Sequence, residues 1–127
     1  MSDIPIKVPK PFKIIAHRGA SAYAPENTFA AFLLAEKMGI NDIELDIQQT
    51  KDRHLVIVHD ELLDRYGYPG VRVSNLTMSE IDNLDMGSWF SPFFFRGEHM
   101  LTLEALFILF GKRMNYVVEI KSCAPDI

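Results

Sequence analysis

The stretch Asp42-Ile43-Glu44-Leu45-Asp46-Ile47 alternates acidic and apolar residues, the two-residue period of a strand with one face buried. Its apolar side chains go to one face, and Glu44 and Asp46 go to the other. Three further apolar runs also deliver charged or imidazole side chains near their C-terminal ends. Ile14-Ile15-Ala16 leads into His17-Arg18, Leu55-Val56-Ile57-Val58 into His59-Asp60, and Tyr116-Val117-Val118 into Glu119-Ile120-Lys121. Charge buried without a partner is costly, so these residues belong to an assembled polar site and not to a core. In parallel α/β folds chemistry sits at the C-terminal edge of the strands. The runs predict strands over 13–17, 42–47, 54–59 and 116–121.

Between the strands the pattern changes. Pro25-Glu26-Asn27-Thr28 reads as a helix entry with Asn27 or Thr28 at the cap, and Phe29, Phe32 and Leu33 follow at helical spacing up to Gly39. Only Gln48 to Arg53 separates the second strand from the third. That leaves room for a hairpin-like link or an irregular loop, but not for a parallel crossover, which takes about a dozen residues. Residues 60–101 break the alternation, with a turn at Gly67, Pro69 and Gly70. Thr77-Met78-Ser79-Glu80 has the form of a capping box, predicting a short helix near 78–85. Leu103, Leu106, Phe107 and Phe110 give an amphipathic helix that Gly111 ends. The order is β-α-β-β-insert-α-β, an α/β chain with a mostly parallel sheet. Residues 1–12, rich in proline, read as an extended arm.

The 127 residues fit one domain, 1–127, and 48% hydrophobic with 24% charged residues is the composition of a globular protein. A net charge of −4 without a basic stripe argues against nucleic acid as a partner. No apolar run approaches the roughly 20 residues of a membrane span, and the N-terminus lacks the apolar core of a signal peptide. With a single cysteine, Cys123, the chain forms no internal disulfide. The expected location is the cytoplasm.

Glu44 and Asp46 share a strand face, and Glu119 and Lys121 repeat the geometry. Three carboxylates converging from neighbouring strands suit a hard divalent cation, Ca²⁺ or Mg²⁺, while the Cys/His spacing of a zinc site is absent. The plainer alternatives are a solvated strand face and a surface ion pair. His17 and His59, each closing an apolar run, have the chemistry of a general acid and a general base. A lone histidine there would be a hydrogen-bonded structural residue. Arg18 offers a fork for phosphate, or else pairs with an acid. Gly19 allows close approach of a ligand, or marks a turn. Cation, imidazoles, Arg and Lys together suit phosphoryl chemistry.

At this point the chain resembles the glycerophosphodiester phosphodiesterase family over roughly residues 13–122. His17-Arg18-Gly19-Ala20 with Pro25-Glu26-Asn27-Thr28 is similar to the first family motif. Glu44-Leu45-Asp46 with Thr50 and Asp52, then His59-Asp60 with Leu63 and Arg65, are similar to the next two. Gly87-Ser88-Trp89-Phe90, Leu101-Thr102-Leu103-Glu104 and Glu119-Ile120-Lys121 complete the order. The resemblance implies a TIM (β/α)₈-barrel hydrolase that releases glycerol 3-phosphate and an alcohol from glycerophosphodiesters. It implies Glu44, Asp46 and Glu119 as metal ligands, His17 and His59 as the acid–base pair, and Arg18 and Lys121 at the substrate phosphate. It also makes 60–101 the family's insertion. One departure is Leu101, where the family usually has proline.

A complete barrel takes about 250 residues, so this chain is expected to hold only about the first four strands. The first and fourth strands would then have bare edges, which pair with other chains or aggregate. A truncated chain, completion by a second polypeptide or by self-association, and a surviving half-barrel are the three explanations. The chain alone is expected to be weakly active or inactive, because catalytic geometry depends on surrounding packing. The competing functions are a sphingomyelinase D-like hydrolase and a non-catalytic half-barrel that binds metal or phosphate. The aromatic run 89–95 is expected to pack the insertion onto the barrel rim, rather than line an alcohol site or touch a membrane.

Overall fold

The computed structural model describes residues 12–122. Nearly all of the expected N-terminal arm, and Cys123, lie outside the described residues. The elements are β1 (Ile15–His17), α1 (Phe29–Lys37), β2 (Asp42–Gln49), β3 (Leu55–Ile57), α2 (Met78–Ile81), α3 (Leu103–Phe110) and β4 (Asn115–Ser122). Short 3₁₀ turns occupy Asp64–Tyr66, Val73–Asn75 and Gly111–Arg113.

All three other strands pair with β2. On one edge β4 runs parallel to it, from Asp42↔Asn115 to Gln48↔Ser122, with an irregularity between Ile47 and Gln48. The opposite edge is shared. β1 pairs parallel with its first half, through Ile15↔Asp42 and His17↔Glu44. β3 pairs antiparallel with its second half, through Ile47↔Ile57 and Gln49↔Leu55. The short link therefore closes a hairpin, and three of the four strands are parallel while β3 doubles back. Thr50 makes that turn: its hydroxyl donates to Asp52 (2.6 Å) and accepts from the His54 amide (2.9 Å).

α1 and α3 cover one face of the sheet. Ile43, Leu45 and Ile47 of β2 meet Phe32 and Ala35 of α1 and Leu106 and Phe110 of α3 in the main core. The Thr28 hydroxyl caps α1 by accepting from the Ala31 amide, and the Thr102 hydroxyl caps α3 through Ala105. Gly19, at φ +81°, is a turn glycine. A Cβ there would lie 2.7 Å from the Ala31 carbonyl carbon, so its close approach is to α1 and not to a ligand.

Residues 60–101 wrap a second core of Val56, Val58, Leu63, Tyr66, Val73, Ile81, Met86 and Met100. The capping box at Thr77 and Glu80 is present, but α2 stops at Ile81. Asp82 and Asn83 follow, residue types that compete with the helical backbone, and the Asn83 amide turns back to the Ser79 carbonyl. In the aromatic run, Trp89, Phe90 and Phe95 stack edge to face within this segment. Phe93 and Phe94 depart from the expected packing, at 92% and 83% exposed.

Among the described residues no helix is long and apolar enough to cross a membrane. Among the described residues β1 and β4 pair only with β2. Their outer edges are open, as expected of a partial barrel.

Candidate active site

Strand alternation and register assemble the acidic cluster. The apolar residues of β2 are committed to the helices, so Glu44 and Asp46 emerge together on the other face. Parallel pairing puts Glu119 directly beside Asp46, and His17 directly beside Glu44. One carboxylate oxygen from each of Glu44, Asp46 and Glu119 lies within 4.8 Å of the other two. Asp46 is fully buried, Glu44 partly buried and Glu119 exposed.

Two oxygens of this cluster, Glu44 Oε1 and Asp46 Oδ1, are buried without a hydrogen-bond partner. Buried carboxylate oxygens are rarely left so. Burial, and then the neighbouring Asp46 charge, raise the Glu44 pKa above the ordinary carboxylate value. The cradle is hard-oxygen, under-satisfied and self-repelling, and these properties fit a divalent cation.

The neighbours of Asp46 are ordered around it. Arg18 and Asn27 both adopt left-handed φ, +60° and +59°, uncommon for such side chains. The Arg18 amide donates to the Glu44 carbonyl (2.8 Å) and the Asn27 amide to the Arg18 carbonyl (2.9 Å). Asn27 Nδ2 then donates to Asp46 Oδ2 (3.1 Å). The cap role belongs to Thr28, and Asn27 serves Asp46. The Arg18 guanidinium forms ion pairs with Glu26 (3.1 Å) and Asp46 (3.2 Å).

His17 Nε2 sits 3.1 Å from Glu44 Oε2. His59 Nδ1 sits 2.7 Å from Asp60 Oδ1. His59 lies just beyond β3, where the Gln48 amide donates to the carbonyls of Val58 (3.2 Å) and His59 (2.9 Å). Lys121 Nζ donates to Glu119 (2.9 Å) and lies 3.9 Å from Asp46, which lowers the Glu119 pKa and raises that of Lys121. A cleft of about 470 Å³ lined by His59, Asp60, Glu61, Leu62, Arg72 and Lys121 opens beside the carboxylates. A larger hollow of about 520 Å³, between the start of β3 and α3, is lined by Leu55, Leu103, Phe107 and Ile108 and holds none of these groups.

His17, Arg18, Glu44, Asp46, Glu119 and Lys121 thus form one cluster of contacts around Asp46, and His59 pairs with Asp60. Gln48 and Asn27 carry structural work that their residue types do not announce. Gln48 continues the Glu44–Asp46 face by strand period, and that was the available signal.

Three parallel strands with helices between them, and a carboxylate–imidazole cluster carried by β1, β2 and β4, define part of a (β/α) barrel. The chain matches the glycerophosphoryl diester phosphodiesterase family over residues 17–127, and it belongs to that family. A glycerophosphodiester phosphodiesterase of Bacillus subtilis is 43% identical over 119 residues, covering 88% of this chain and 40% of the relative. Among solved structures, a glycerophosphodiester phosphodiesterase from Agrobacterium tumefaciens superposes with a TM-score of 0.83 at 42% identity, covering 89% of this chain and 48% of that one. An Oleispira antarctica phosphodiesterase in complex with the product sn-glycerol-3-phosphate gives 0.81 at 34% identity, with 88% and 45% covered. These neighbours are TIM-barrel proteins, and the chain spans less than half the length of each.

Proposed function

We propose that the chain supplies the catalytic rim of a hydrolase that converts glycerophosphodiesters to glycerol 3-phosphate and an alcohol with the help of a divalent cation. The observation that carries this reading is the triad Glu44, Asp46 and Glu119, with two buried oxygens left over, in a chain of this family. Those three residues would hold Ca²⁺ or Mg²⁺, which supplies charge stabilisation at the phosphate oxygens when bound. Arg18 and Lys121 contact the phosphate. His17 and His59 move the protons, one taking a proton from the attacking water as its oxygen bonds to phosphorus and the other giving one to the leaving alcohol as its P–O bond breaks. The cleft beside His59 and Lys121 takes part of the substrate. Residues 60–101 are an insertion between barrel strands, and the location is the cytoplasm.

The test measures glycerol 3-phosphate release from glycerophosphocholine with Ca²⁺, with Mg²⁺ and with chelator. It uses the 127-residue chain and a version extended by its downstream sequence. Cation-dependent release is expected, with the chain alone weak or inactive because the outer edges of β1 and β4 are open. His17→Ala and His59→Ala should each cut turnover by roughly 10²–10⁴-fold while leaving cation affinity mostly intact. Release that ignores chelator, or no release from either form, overturns the reading.

A further inference from the structure

Arg65 lies outside the proposed catalytic set, yet it touches the partners of two of its members. It sits in the 3₁₀ turn Asp64–Tyr66, in the segment beyond β3. Its Nε and Nη2 donate to the two oxygens of Asp60 (3.0 and 3.1 Å). Its Nη1 and Nη2 donate to the two oxygens of Glu26 (2.8 and 3.1 Å). Nη2 also reaches the Tyr66 hydroxyl (2.8 Å). The guanidinium lies over the rings of Tyr66 (4.8 Å) and Trp89 (5.1 Å).

The two carboxylates it bridges have different clients. Asp60 accepts from His59 Nδ1 (2.7 Å), and Glu26 accepts from Arg18 Nη1 (3.1 Å). A continuous path of charge-assisted contacts therefore runs from His59 through Asp60, Arg65, Glu26 and Arg18 to Asp46. A neutral imidazole carries one N–H. An ionised carboxylate opposite Nδ1 keeps that hydrogen on Nδ1 and leaves the Nε2 lone pair for chemistry. Asp60 can do this only while its own rotamer is held. It immediately follows His59 in the chain, is partly exposed and shares a guanidinium with a second carboxylate. Without Arg65, Asp60 and Glu26 would repel each other, and Asp60 would keep only its contact to His59. The aromatic pair completes the device, since Tyr66 and Trp89 stand edge to face at 5.5 Å and wall the guanidinium.

We propose that Arg65 is a positioning residue: gripped by Tyr66 and Trp89, it holds Asp60 so that His59 presents Nε2 to the reaction, and it sets Arg18 through Glu26 from the same point. This deepens the proposed function and rests on His59 being an acid–base group. It also gives Trp89, the first residue of the aromatic run, a task at the site.

The test reads the ring tautomer of His59 by ¹⁵N-correlated NMR in the full 127-residue chain, above the pH at which the ring is neutral. The native protein should show His59 mainly as the Nδ1–H form. Arg65→Met should lower the Nδ1–H to Nε2–H ratio by about tenfold, the scale of one charge-assisted hydrogen bond. Arg65→Lys keeps the charge but not the double fork, and should fall between the two. It carries the test if the Met variant does not fold. Asp60→Asn is the control that removes the carboxylate itself. If both Arg65 variants keep the native ratio while Asp60→Asn collapses it, Arg65 merely pins the segment and the proposal fails, however much stability is lost. The readout needs no turnover, so its failure is distinct from absence of glycerol 3-phosphate release.

Discussion

Asn27 is 3% exposed, sits in left-handed backbone, and spends its side-chain amide on a carboxylate. An L side chain other than Asn or Asp would pay for that φ, at roughly 1–2 kcal/mol, and would drop the contact to Asp46. Asn27→Ala is therefore expected to destabilise the chain by on the order of 2 kcal/mol in urea unfolding. Asn27→Gly, which accepts the φ, should lose less. Both should weaken divalent cation binding by about 10–100-fold in calorimetry, because the group that orients a ligand matters nearly as much as the ligand. An unchanged affinity in the glycine variant would remove Asn27 from the site. The sequence makes Glu44, Asp46, His17 and His59 legible because a charge at the end of an apolar run contradicts its surroundings. Asn27 was legible only as a helix-cap residue, since capping and left-handed turns draw on the same residue types. Arg65 was legible as part of a motif, but its partners come from residue 26 and residue 60, and no local pattern encodes that meeting.

The loop after α2 shows how one acidic side chain holds an irregular element. Burial pushes the Asp85 carboxyl up, but the Ser88 hydroxyl and the amides of Gly87, Ser88 and Gly97 outweigh it and bring the pKa down to about 2. The Asp85 amide in turn donates to the Tyr68 hydroxyl (2.7 Å). A carboxylate held below its unfolded value of 3.8 binds fewer protons in the folded state. Its stabilisation is present above that value and is lost as pH falls toward about 2. Asp85→Asn should thus be less stable than the native chain at neutral pH, and the gap should narrow steadily between pH 4 and pH 2. A gap that stays constant in urea unfolding across this range would contradict the assignment. The regular elements were nearly all visible in hydrophobic period and caps: α1 and α3 occupy the expected windows, and the strands differ by a few residues at their ends. The length of α2 was not visible, and for β3 the short link left a hairpin and an irregular loop both open. The first depends on competition from Asp82 and Asn83, and the hairpin on a turn closed by side chains of Thr50 and Asp52.

Taken whole, the chain has one finished face and one open flank. Ile108 on α3 and Ile120 on β4 are 75% and 61% exposed, and Phe107, Leu109 and Val117 are exposed with them. Such apolar area is a site of association, and among the described residues β1 and β4 add unpaired strand edges. The chain by itself should show concentration-dependent association in size-exclusion chromatography with light scattering. Ile108→Lys should reduce it without changing the unfolding free energy by more than about 0.5 kcal/mol, as expected of a surface change. A monomer at every concentration would show that the flank is innocuous. The partial barrel was legible from the length set against the motif order, but which residues stay uncovered was not. The apolar pattern of α3 looks the same whether its far side meets protein or water. Finally, β2 carries both crossovers, the hairpin and two of the three clustered carboxylates on a single alternating ladder. A deletion or insertion of one codon just before Ile43 would turn Glu44 and Asp46 toward the helices and Ile43, Leu45 and Ile47 toward the rim, disrupting core and site in one step. Length variation across descendants of this chain should therefore spare 42–49.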